Sequence, residues 1–284
     1  MRRLIYVPVL VTLVALAWPV VAHGQGGGAA GVLAEMHAAM GGADAVAAVR
    51  TLRAVGIRQQ VTPRGTTEGD YVVAVELPDR YSLRVMLANR GVMSVFGHTG
   101  FDGDAPIQWY DAPPDLRTSE QGLGLRIRRA QRAAEQATAD QRTEQLQQAR
   151  VQFARLMLGL LGTFHEPLPL ELGYGGVAES PDGTADVVEA HGPDGFEALL
   201  FIDTETHLPL MQSWTGPPRR RSRAAVASSE PVEYRIYYSN FDEVGGLTLP
   251  HTLQWAIDGS PTEEVTFETF EINVALEADT FRQR

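Results

Sequence analysis

Beyond Pro169, turn signals recur about every ten residues: Pro181-Asp182-Gly183, Pro193-Asp194-Gly195, Asp203 to Thr206, Gly245-Gly246 and Asp258-Gly259. Between them lie segments 185–191, 196–203, 208–214, 232–241, 247–257 and 263–274, each of strand length. Antiparallel strands at that spacing bury a core as a sandwich or barrel. The first half has the same rhythm. Thr51 to Val61, Asp70 to Leu77, Tyr81 to Leu87, Val92 to His98 and Ile107 to Tyr110 read as strands, with Phe101 to Asp104 as a glycine-bearing turn. Ahead of them, Val32 to Met40 and Ala43 to Val49 have helical spacing and are separated by Gly41-Gly42.

One segment breaks the rhythm. Ser119 to Leu161 is rich in Arg, Gln, Glu and Ala, and has neither proline nor glycine between Leu125 and Leu158. Leu146, Ala149, Phe153, Leu156 or Met157, and Leu160 fall on one helix face. A single rod of roughly 37 residues would be about 55 Å long, wider than a domain of this size. Thr138 with Gln141 three positions on resembles a capping box. The expectation is two helices with a break near Thr138 to Asp140, or one helix that overhangs. Strands on both sides of this segment predict a single domain, 32–284, with a helical insertion at about 119–161.

The strand faces add a constraint. In FEALLFID, Phe196, Ala198, Leu200 and Ile202 share one face, while Leu199 and Phe201 occupy the other between Glu197 and Asp203. In VEYRIYYSNF, Tyr234, Ile236 and Tyr238 oppose Arg235, Tyr237 and Phe241. A sheet with one wet face alternates more cleanly. The fold class is therefore α+β, a curved antiparallel sheet with helix packed on one surface.

The N-terminus reads as an address. Arg2 and Arg3 precede an almost continuous apolar run, Leu4 to Val21, and small residues at Ala22 and Gly24 allow cleavage after either. Residues 1–24 are expected to be a signal peptide and 25–31 a flexible mature N-terminus. A retained anchor is the alternative, against which stand Pro8, Pro19 and a length near the lower limit for spanning. The expected location is periplasmic or secreted, and the cleaved protein is not integral to a membrane. The 284 residues include no cysteine, which excludes disulfides, thiolate metal sites and a cysteine nucleophile. All 24 basic residues are arginine, so a lysine Schiff base and a Walker A lysine are excluded too. The net charge of −11 becomes −13 without Arg2 and Arg3, which disfavours nucleic acid as a partner.

No catalytic or cofactor motif stands out, and no cofactor is implied. HExxH, GxSxG, a strand-to-helix GxGxxG and an EF-hand loop are all missing. The seven histidines are scattered without helical ligand spacing, so no metal site is expected. His165-Glu166, and His191 with Glu189, are conceivable acid–base pairs, although lone histidines at strand ends are more often structural. Trp109, Trp214 and Trp255 with several methionines suit either a pocket or an ordinary core. Arg219, Arg220, Arg221 and Arg223 crowd the segment 216–231, which reads as a mobile loop or as a site for an anionic group.

Three phrases carry a family resemblance: LAEMHAAMGGADAVAAVRTLRAVG near the start, LLFIDTETHLPLMQSW, and EYRIYYSNFDEVGGLTLPHTLQWAIDG followed by VTFETFEINVALEADTF, with Asn273 and Phe281 in the closing segment. Together they resemble periplasmic LolA/LolB-type lipoprotein carriers, the outer-membrane lipoprotein-sorting-protein-like superfamily, over roughly Val32 to Phe281. The resemblance implies an incomplete antiparallel β-barrel whose helices form a lid over an apolar cavity for acyl chains. The residues that would line it here are Trp109, Phe153, Met157, Leu160, Phe201, Trp214 and Trp255. The implied partner is the acyl chain of a lipid or lipoprotein, held for carriage or sequestration. Relatives include RseB-like regulators, so an interaction or lipid-sensing module with an envelope protein partner is the alternative. An enzyme using the same cavity is a third.

Overall fold

Period-two alternation over both halves of the chain builds twelve strands, and every neighbouring pair is antiparallel. The computed structural model describes residues 28–62, 65–90, 93–118, 122–165, 168–181, 183–218, 230–277 and 279–282. The expected signal peptide, Glu166 and the arginines at 219–223 lie outside the described residues. Two helices come first, α1 (Ala29–Ala39) and α2 (Ala43–Ala47). Five strands follow: β1 (Thr51–Thr62), β2 (Gly65–Glu76), β3 (Arg80–Arg90), β4 (Met93–Asp102) and β5 (Ala105–Asp111). The helical segment is α3 (Pro114–Thr118), α4 (Gly122–Glu135) and α5 (Ala139–Leu161). The second strand series is β6 (Glu171–Ser180), β7 (Gly183–Gly192), β8 (Phe196–Asp203), β9 (Pro209–Gly216), β10 (Val232–Val244), β11 (Leu247–Ile257) and β12 (Ser260–Ile272).

The strand order is β5-β4-β3-β2-β1-β12-β11-β10-β9-β8-β7-β6. Each series is a meander of hairpins, and one sequence-remote pairing joins them, with Leu52 opposite Ile272 and Arg58 opposite Val265. The sheet is open and curved, not closed. Its edges, β5 and β6, are adjacent in sequence apart from the helical segment. That segment must therefore cross the whole width of the sheet, which places α5 over one face, against β4, β5, β8, β9 and β11.

The helix break falls at the residue its chemistry predicts. Thr138 caps α5: its Oγ1 accepts from the Gln141 N–H at 3.3 Å, and the Gln141 side chain accepts from the Thr138 N–H at 2.9 Å. At the other end Gly162 takes a left-handed conformation, and its carbonyl lies 3.2 Å from the His37 ring of α1. Two elements differ from the sequence expectation. Proline ends the first strand block at 113–114, yet Pro114 opens the short helix α3, where its fixed φ suits a first turn. Strand β6 was hidden by Gly173, Gly175 and Gly176. Its register shift between Tyr174 and Gly176 needs the positive φ of Gly176, and its outer position tolerates it.

Candidate functional site

Alternation and register fix which side chains share the helix-covered face. Along adjacent strands these are Tyr81 and Phe101, Val73 and Val75, Leu52 and Ala54, Val265 and Phe267, Leu249 and Leu253, Ile236 and Tyr238, and Leu200 and Ile202. α5 lowers Phe153, Met157, Leu158, Leu160 and Leu161 onto them, each buried to within a per cent of completely. Phe153 meets Phe101 edge-on at 5.4 Å and Tyr81 at 5.8 Å. Two arginines brace the helix. Arg150 donates to Asp104 at 2.7 Å in the β4–β5 turn, and Arg155 lies 4.2 Å over the Trp214 ring and 5.2 Å over Phe196.

Five of the seven sequence-derived lining residues thus come together: Phe153, Met157 and Leu160 from α5, with Trp214 of β9 and Trp255 of β11 half-buried against the same cluster. Trp109 and Phe201 stand on the opposite face. Phe201 alternates with Leu200 and Ile202, both in the main core, and so points away from α5. Trp109 stacks on His98 at 3.7 Å and packs with Ala74, Ile107, Leu276 and Phe281, where the C-terminal segment covers the outer face.

Sequence reasoning missed the polar members of this contact. Gln212 is fully buried on the helix-covered face, opposite Ile236 and Leu200, and neither atom of its amide has a hydrogen-bond partner. Tyr238, its diagonal neighbour on β10, has a buried hydroxyl without a partner, and burial pushes its ionisation well up. That hydroxyl lies against α5 at Gly159, where any Cβ would collide with it. The only advance signal is that Gln212 has the same parity as Trp214 along β9.

A cavity of about 250 Å³ opens at the C-terminal end of α5, lined by Val46, Val49, Arg50, Leu77, Leu161 and His165 among others. Burial lowers the His165 pKa, and its ring is 3.4 Å from the Thr163 hydroxyl. His191 and Glu189 approach to 3.8 Å on the surface. Among the described residues no cluster of three or more His, Asp or Glu is arranged to hold a metal ion. No described helix is long and apolar enough to cross a membrane.

No family model and no curated protein matches the sequence. The solved structures to which it is similar include three that it covers over nearly their whole length. A domain from Vibrio parahaemolyticus assigned to the outer membrane lipoprotein-sorting proteins is 12% identical, covering 88% of this chain and 94% of its own, with a TM-score of 0.48. A DUF1329 family protein from Desulfovibrio piger is 8% identical, covering 88% and 95%, with a TM-score of 0.48. A LolA superfamily protein from Nitrosomonas europaea is 11% identical, covering 88% and 96%, with a TM-score of 0.46.

Proposed function

We propose that this chain is an exported envelope protein that holds an apolar ligand, the acyl chain of a lipid or lipoprotein, on the α5-covered face of the open sheet. The observation that carries the reading lies in the largely apolar contact beneath α5, where the Gln212 amide and the Tyr238 hydroxyl are buried without hydrogen-bond partners while the helix is down. A contact built only for permanence would have apolar groups there or partners for both. A bound amphiphile, or water admitted with it, satisfies them.

In the structure the protein's own side chains fill this space, so the ligand enters only when α5 moves. The magnitudes allow an exchange. Phe153, Met157, Leu158, Leu160 and Leu161 together contribute roughly 8–15 kcal/mol to keeping the helix down. An acyl chain of about 14 methylenes supplies about 11 kcal/mol in their place. Phe153, Met157, Leu160, Trp214 and Trp255 are the residues this reading assigns to the ligand. Residues 1–24 direct export and are removed. No enzymatic activity is part of the reading.

The test is native mass spectrometry of the protein extracted without detergent. Wild-type protein is expected to carry lipid, and M157E/L160E to be exported but empty. Wild-type protein that is ligand-free and takes up no added fatty acid overturns the proposal.

A second reading, a module that binds an envelope protein, draws on the uncovered outer face. Val187, Phe201, Met211 and Tyr237 stand side by side across β7 to β10, and near them Leu199 and Leu210 are 37% and 40% exposed. It predicts a stable protein partner in pull-downs, lost on Phe201→Glu, and no bound lipid.

A further inference from the structure

We infer that the outer face of α4 is a docking surface for an anionic phospholipid bilayer. The helix is oriented by its other side. Ile127 is buried with Val95 and Ala112, and the Gln131 side chain donates to the Tyr110 carbonyl at 3.0 Å on the sheet-edge strand β5. Fixing those residues inward leaves Arg126, Arg129 and Arg132, spaced three apart, on the exposed arc. All three are exposed, and among the described residues none has an ion pair or hydrogen bond. Glu135 is the sole acid within the helix.

This line of charge stands out because of its setting. The chain carries a net charge of −11, so an anionic surface repels most of the molecule. A local row of unpaired guanidinium groups is the part such a surface attracts, and it fixes the orientation of approach. Arginine suits phosphate, because its planar fork donates two parallel hydrogen bonds. The row also lacks an apolar surround: among the described residues none of the exposed large apolar residues, Val61, Leu87, Phe164, Val177, Leu199, Leu210 and Val274, lies on α4, whereas an arginine anchor of a specific protein interface sits in a well-packed, desolvated pocket. A headgroup layer needs only charge on a regular surface. Docked this way, the β5 edge of the sheet and the connection into α5 face the bilayer. The surface is independent of whether any ligand lies beneath α5.

Vesicle sedimentation at low ionic strength tests it, with phosphatidylglycerol–phosphatidylcholine vesicles against pure phosphatidylcholine as the control for apolar insertion of residues 4–21. The protein is expected to bind the anionic vesicles only, and to release them at high salt. Each arginine near the surface is worth about fivefold in affinity, so R126Q/R129Q/R132Q is expected to bind about a hundredfold more weakly. R53Q/R282Q, which removes exposed arginines elsewhere, is expected to leave binding unchanged. Failure to bind anionic vesicles, retained binding by the triple variant, or an equal loss in the control overturns the inference. So does arginine-dependent capture on immobilised polyglutamate without vesicle binding, which assigns the face to an acidic polypeptide instead.

Discussion

Tyr238 is a residue whose native surroundings work against it. A buried hydroxyl without a partner costs about 1–3 kcal/mol relative to one that is satisfied. Tyr238→Phe removes the unsatisfied group and keeps the ring. It is expected to raise stability by about 1 kcal/mol in urea denaturation and to slow ligand uptake. A loss of stability would show that the hydroxyl is satisfied after all. Gly159 belongs to the same argument, since only a residue without a side chain lets the helix settle on that hydroxyl. At this scale the sequence was partly legible. The helical period of 3.6 singled out Phe153, Met157 and Leu160, because a stripe on a helix has one possible covered side. Phe201 and Trp109 were ambiguous for the opposite reason. Their strands are apolar on both faces, and alternation separates the two sets without saying which one lies under α5.

Elements were legible where local chemistry decides the backbone, and obscure where tertiary context does. The Thr138–Gln141 box fixed the start of α5 because it satisfies two backbone donors at once. Thr138→Ala is expected to cost about 1 kcal/mol and to fray the first turn of α5, readable as faster amide exchange in the residues after Ala139. Unchanged exchange there would mean that the packing of α5 holds the terminus without its cap. β6 escaped notice because three glycines within ELGYGGVAES erase the apolar alternation. The strand exists because β7 offers it a ladder from Glu171 opposite His191 to Ser180 opposite Gly183. The local signal for that ladder is the Pro181-Asp182-Gly183 turn at its closed end, and nothing within 171–180 adds to it.

For the whole molecule, the sheet order explains why the helices lie where they do. Two meanders, each readable from its turns, are joined along β1 and β12, and the connection between their far edges has to span the concavity. The sheet and its roof should therefore differ in cooperativity. Central strands carry the global stability, while α4 and α5 are held mainly by side-chain contacts on one side. Hydrogen exchange is expected to show α5 amides opening well before those of β1 and β12, and becoming protected when a fatty acid is added. Uniform protection across both would exclude a roof that lifts.

The seam between residues 52 and 272 also governs how the chain can be made. A product truncated just before Ser260 keeps β1–β5 and β6–β11 but has no stitch between them. Such long-range contacts form slowly, since almost the entire polypeptide must be present before they can be drawn together. An unfinished chain therefore lacks the one pairing that fixes the two hairpin series to each other.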